Sequence, residues 1–101
     1  MTTVYITAPT TAADGIAREL IDRRLAACVN RIECQSTYRW EGEIITDPET
    51  ILIVKTTTER YSYLVDAVTE LHPYDVPCIE RFEEADVLPS YAEWVAEETE
   101  G

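Results

Sequence analysis

The chain has 101 residues, 20 Asp and Glu against 8 Lys and Arg, a formal net charge of −12, and a composition that is 46% hydrophobic. That length supports one domain, and the ordinary apolar fraction separates this acidity from the signature of disorder. A surface this negative repels phosphate backbones and anionic lipid, and seven scattered Arg plus the single Lys55 form no basic patch, so neither nucleic acid nor a membrane surface is an expected partner.

Val4-Tyr5-Ile6 opens a first strand, and Thr7-Ala8-Pro9-Thr10-Thr11 follows with hydroxyl residues suited to capping a helix. The start lacks the basic and apolar regions of a signal peptide, and no apolar run reaches the ~20 residues that cross a bilayer. Ile16, Leu20, Ile21 and Leu25 recur at helical spacing and predict a first helix from about Ala12 to Ala27. From Cys28 to Thr58 the pattern is that of strands, with Glu41-Gly42 as a tight hairpin turn after Trp40. Gly42 supplies the positive φ such a turn needs. Asp47-Pro48 predicts a break or bulge in the returning strand, because proline donates nothing to a ladder. The continuous run Ile51-Leu52-Ile53-Val54 predicts a strand covered on both faces.

Tyr61, Leu64, Val65, Val68, Leu71 and His72 make a strongly amphipathic second helix, which Pro73 ends. Tyr74-Asp75-Val76-Pro77 is a stiff loop, in which Pro73 and Pro77 have structural roles. Cys78 to Phe82 alternates as a fourth strand. Pro89 begins a last helix whose expected inner face is Tyr91, Trp94 and Val95. The order β-α-β-β-α-β-α predicts an α+β, ferredoxin-like fold over residues 1–101 with an additional C-terminal helix. Both main helices then cover one face of the sheet, and the aromatic and aliphatic content of the other face predicts an oligomer.

Candidate site residues cluster at the hairpin and after the second helix. Tyr38 and Trp40 share a strand face beside the turn, and they either anchor a subunit interface or line a ligand cleft. Lys55 is either a solvated charge at a strand end or the partner of an anion or carboxylate in an intersubunit cleft, with Glu41, Glu43 and Glu80 as candidates; Lys55, Tyr38, Trp40, Glu41 and Tyr74 form the ligand-cleft set. His72 is either a cap on the carbonyls ending its helix or a metal ligand with Cys78 as its nearest soft partner. The three cysteines, Cys28, Cys34 and Cys78, make no CxxC pair, which predicts a reducing, cytoplasmic setting, with Cys28 and Cys34 as small buried groups. The carboxylate runs Glu83-Glu84-Asp86 and Glu97-Glu98-Glu100 lack calcium-loop spacing. No nucleophile-base motif, HExxH or phosphate loop is present, so no enzyme activity is expected.

Thr7-Ala8-Pro9, Arg24-Leu25-Ala26-Ala27-Cys28-Val29-Asn30, Tyr38-Arg39-Trp40-Glu41-Gly42-Glu43, Lys55-Thr56 and His72-Pro73-Tyr74-Asp75-Val76-Pro77 together resemble the successive motifs of the CutA family of divalent-cation tolerance proteins. The resemblance spans nearly the whole chain. It implies a ferredoxin-like subunit, a homotrimer whose long hairpins pair across subunits, kinship of shape with PII signalling trimers, and a link to copper and other divalent metals. A PII-like signalling or scaffold trimer, with a small molecule or protein in its intersubunit clefts, is the alternative reading. Ile6 and Leu71 stand where copper-holding members would offer further Cys or His, a departure that leaves His72 and Cys78 as the candidate ligands for a divalent metal such as copper. The excess of Arg over Lys, with surplus Glu, resembles proteins of a molar-salt cytoplasm, where the Debye length is about 3 Å.

Overall fold

Alternation builds the first strand, β1 (Thr2–Pro9), whose even residues Thr2, Val4, Ile6 and Ala8 are all buried. The computed structural model describes residues 1–101, in the order β1, α1 (Thr10–Asp22), β2 (Cys28–Trp40), β3 (Glu43–Thr56), a short 3-10 turn (Thr58–Arg60), α2 (Tyr61–Leu71), β4 (Cys78–Glu83) and α3 (Pro89–Glu98). The strands form one antiparallel sheet of order β2-β3-β1-β4. This is the α+β, ferredoxin-like arrangement with an added C-terminal helix. Ile16 and Leu20 of α1 and Leu64 and Val68 of α2 close over Val4, Ile6, Leu52 and Val54, all essentially inaccessible to solvent. Each such side chain contributes roughly 1.5–3 kcal/mol of burial.

The first helix is shorter than its periodicity suggests. It ends at Asp22, and Arg24 takes a left-handed φ of 56°. The Leu25 and Ala26 amides both donate to the Leu20 carbonyl, at 2.9 and 3.2 Å. Leu25 and Ala26 therefore reach the core from a connector, which is tied to β3 where the Thr56 hydroxyl donates to the Leu25 carbonyl at 2.7 Å. The expected hydroxyl cap is also absent: Pro9 holds the N-cap position with no side-chain bond.

The β2–β3 hairpin pairs without interruption from Cys28 and Lys55 to Trp40 and Glu43. Asp47-Pro48 makes no break. Pro48 pairs with Gln35 just beyond the last β1 partner, Glu49, so no bond to β1 is lost by its missing N–H. Glu41 and Gly42 turn the chain with φ of 50° and 83°, as a two-residue hairpin loop of this hand requires. Beyond β1 the hairpin continues as an arm, consistent with principal extents of 46 × 26 × 20 Å.

Only one sheet face is covered within the chain. Leu52 and Val54 are buried and Ile51 and Ile53 are half-buried, so within the chain β3 is covered on one side only. Tyr5, paired with Ile53, and Ile32, paired with Ile51, extend this helix-free apolar surface. On α3 only Val95 is buried; Tyr91 is half-buried and Trp94 exposed. Cys28 and Cys34 are half-buried rather than buried, and all three thiols are free.

Candidate functional site

A cleft of about 600 Å³ lies where the hairpin arm meets the loop after α2. β1 contributes Thr7, β2 contributes Ser36, Tyr38 and Trp40, β3 contributes Glu49, the loop contributes Pro73 to Val76, and β4 contributes Cys78. Strand parity explains the grouping. Residues Ser36, Tyr38 and Trp40 project from one face of β2, and cross-strand pairing sets Cys34 opposite Glu49 and Cys78 opposite Thr7.

His72 organises the loop wall. Its amide closes α2 on the Val68 carbonyl at 2.8 Å, and its ring leaves the helix rather than capping it. Nε2–H donates to the Thr7 carbonyl at 2.9 Å, and Nδ1 accepts the Tyr74 amide at 3.1 Å. These partners define the neutral Nε2–H tautomer and commit both nitrogens. The Tyr74 ring sits 4.9 Å from the imidazole, and its hydroxyl donates to Glu49 Oε2 at 3.2 Å.

Across the cleft, the Tyr38 hydroxyl donates to Asp47 Oδ2 at 2.7 Å. That bond, aided by desolvation, pushes the phenol up to about 12. Burial, then the Glu49 carboxylate, raises the Tyr74 phenol, while burial and the 3.4 Å bond to Glu80 raise the Cys78 thiol. All three groups are held in their neutral, protonated forms at pH 7. The cleft residues include two carboxylates, Glu49 and Asp75, and no basic side chain.

Of the ligand-cleft set, the chain brings Tyr38, Trp40 and Tyr74 together. Glu41 is at the exposed hairpin tip and does not line the cleft. Lys55 lies ten residues along β3 from Ile45, the partner of Tyr38, which is about 33 Å at strand rise. Its Nζ donates to Asn30 Oδ1, and it pairs with none of Glu41, Glu43 and Glu80. His72 and Cys78 both approach Thr7. Sequence reasoning missed Glu49, which is only 5% exposed, and Asp47. Their shared parity was readable, but nothing local predicts burial of Glu49. A second depression, between α1 and β2, is an open groove whose Arg18 and Arg31 are both spent on Asp14.

Residues 2–98 match the family model described as CutA1 divalent ion tolerance protein. The chain is 44% identical over 98 residues to the divalent-cation tolerance protein CutA of Thermus thermophilus, covering 95% of each. It is similar in structure to the protein described as the periplasmic divalent cation tolerance protein CutA of Archaeoglobus fulgidus, with a TM-score of 0.94, 37% identity, and coverage of 99% of this chain and 100% of that one. A PII-like protein CutA from a Nostoc species gives a TM-score of 0.94 at 31% identity, over 99% and 98% of the two chains.

Proposed function

The chain belongs to the CutA1 divalent ion tolerance family, and on that premise we propose that it acts as a non-enzymatic homotrimer in the cytoplasmic response to divalent metal ions. The helix-free sheet face carries the assembly reading. Tyr5, Ile32, Ile51 and Ile53 form an apolar surface that a second subunit would cover, while the acidic exterior keeps the assembly soluble. Sedimentation equilibrium is expected to return three times the 11.5 kDa of the chain. A monomeric mass at all concentrations overturns the assembly. The odd set of free cysteines supports a reducing compartment, and cell fractionation tests it.

Copper is bound through imidazole nitrogen and sulfur. Both nitrogens of His72 are committed within the chain, Cys78 holds its proton, and no group of three or more His, Cys, Asp or Glu side chains is placed to hold an ion. The donors of one chain thus do not fit a copper site. The role in metal response accordingly runs without a resident ion at His72 and Cys78. Titration with Cu(II) and Zn(II) is expected to give the same isotherm for the folded wild type and folded His72→Ala; a saturable site lost in the variant overturns this.

A second reading is favoured by the cleft itself. A PII-like trimer holds a small molecule there, walled by Tyr38, Trp40 and Tyr74 and remote from Lys55 of the same chain.

A further inference from the structure

The cleft's lining discriminates between classes of ligand, and from it we propose that the site receives a small organic ammonium ion, with Glu49 as the counter-charge and the rings of Tyr38, Trp40 and Tyr74 as walls. The proposal rests on the reading of the cleft as a ligand site.

Glu49 carries the argument. It is 95% buried, since 5% remains exposed, and it takes part in no ion pair. Oε2 accepts the Tyr74 hydroxyl at 3.2 Å, and Oε1 has no hydrogen-bond partner in the chain. No sealed polar side-chain atom lacks a partner, so Oε1 opens to the cleft. A carboxylate oxygen that lines the cleft without a partner is free to accept a charge-assisted hydrogen bond from an incoming cation.

The walls select the kind of cation. Aromatic faces attract an ammonium group through the ring quadrupole and shelter its carbon substituents by apolar contact. A divalent metal would need several convergent hard oxygens, and here the second lining carboxylate, Asp75, is on the exposed loop. A phosphate or nucleotide meets Glu49 and Asp75 with no Lys or Arg in the lining to receive it. The neutral hydroxyls of Thr7, Ser36, Tyr38 and Tyr74 serve an N–H or O–H ligand without adding charge.

Isothermal titration of the intact protein, at a salt concentration where sedimentation returns the assembled mass, uses choline and benzylammonium against their neutral isosteres, 3,3-dimethylbutan-1-ol and benzyl alcohol, with ATP as the anionic probe. At least one ammonium probe is expected to bind saturably, about tenfold or more tighter than its isostere, with ATP silent. Glu49→Gln keeps the shape and should remove most of that preference; Trp40→Ala, at a ring already 56% exposed and so safe for folding, should weaken binding about threefold. An isostere binding as tightly as its cation, or ATP binding more tightly, refutes the ammonium assignment and leaves a ligand cleft. Silence of every probe overturns both the assignment and the ligand reading, while the trimer stands on its separate mass measurement.

Discussion

Replacing His72 by alanine removes the clasp between the loop and β1, and its magnitude follows from three losses. The Thr7 carbonyl loses the Nε2–H donor at 2.9 Å, and the Tyr74 amide loses the Nδ1 acceptor at 3.1 Å. At about 1 kcal/mol net for each bond, these amount to about 2 kcal/mol. The ring is buried and packs on Tyr74, and its removal leaves a void that adds about 1 kcal/mol. The expected destabilisation is therefore about 3 kcal/mol, read by equilibrium urea unfolding at a fixed protomer concentration. Val76→Ala, in the same loop but 84% exposed, should stay within about 0.5 kcal/mol of wild type. Amide exchange at Tyr74 should accelerate only in the His72 variant. A His72→Ala protein as stable as Val76→Ala, with Tyr74 exchange unchanged, would refute the structural role given to the imidazole.

Gly42→Ala forces a side chain into φ of 83° but meets no atom within 4 Å, so the cost is conformational alone, about 1 kcal/mol; calorimetry finding no loss of stability would contradict the turn geometry. The Tyr38 phenol should titrate near 12, and Asp47→Asn should return it toward the ordinary value of about 10, as read by ultraviolet difference titration against Tyr38→Phe. Because the folded state holds this proton more tightly than the unfolded chain, the bond's contribution is full below about pH 10 and disappears as pH rises through 12. Diluting salt from 1 M to 0.01 M lengthens the Debye length from about 3 to 30 Å, and repulsion between copies each carrying −12 should weaken the trimer. An unchanged mass and melting point across that range defeats the salt-adaptation argument.

Element types were legible where one local pattern spoke alone. The period of Tyr61, Leu64, Val68 and Leu71 specified α2, and Glu41-Gly42 specified the hairpin. Reading failed where a local pattern met a tertiary contact. Leu25 keeps helical spacing with Ile21, yet the chain leaves the helix so that Leu25 can bond Thr56, and Arg24 enters the left-handed region without a glycine to announce it. Antiparallel pairing sends Lys55 and Tyr38 to opposite ends of one strand pair, so a cleft that held both would take its lysine from another subunit. The cleft was half legible. Tyr38 and Trp40 follow from parity, whereas Glu49 meets Tyr74 across 25 residues and His72 meets Thr7 across 65, distances over which periodicity carries no information.

The place of β1 between β3 and β4 sets a timetable for synthesis. Its outer partner, β4, begins at Cys78, and Thr2 is finally matched by Glu83, 81 positions later. At about 5–20 residues per second, a ribosome needs roughly 4–16 s to supply that partner. Until then β3, complete at Thr56, closes only one side of Val4, Tyr5 and Ile6, and their other side is a template for pairing with another nascent chain. β1 is therefore among the last strands to be completed on both sides, so crowding of translating ribosomes bears hardest on Val4, Tyr5 and Ile6.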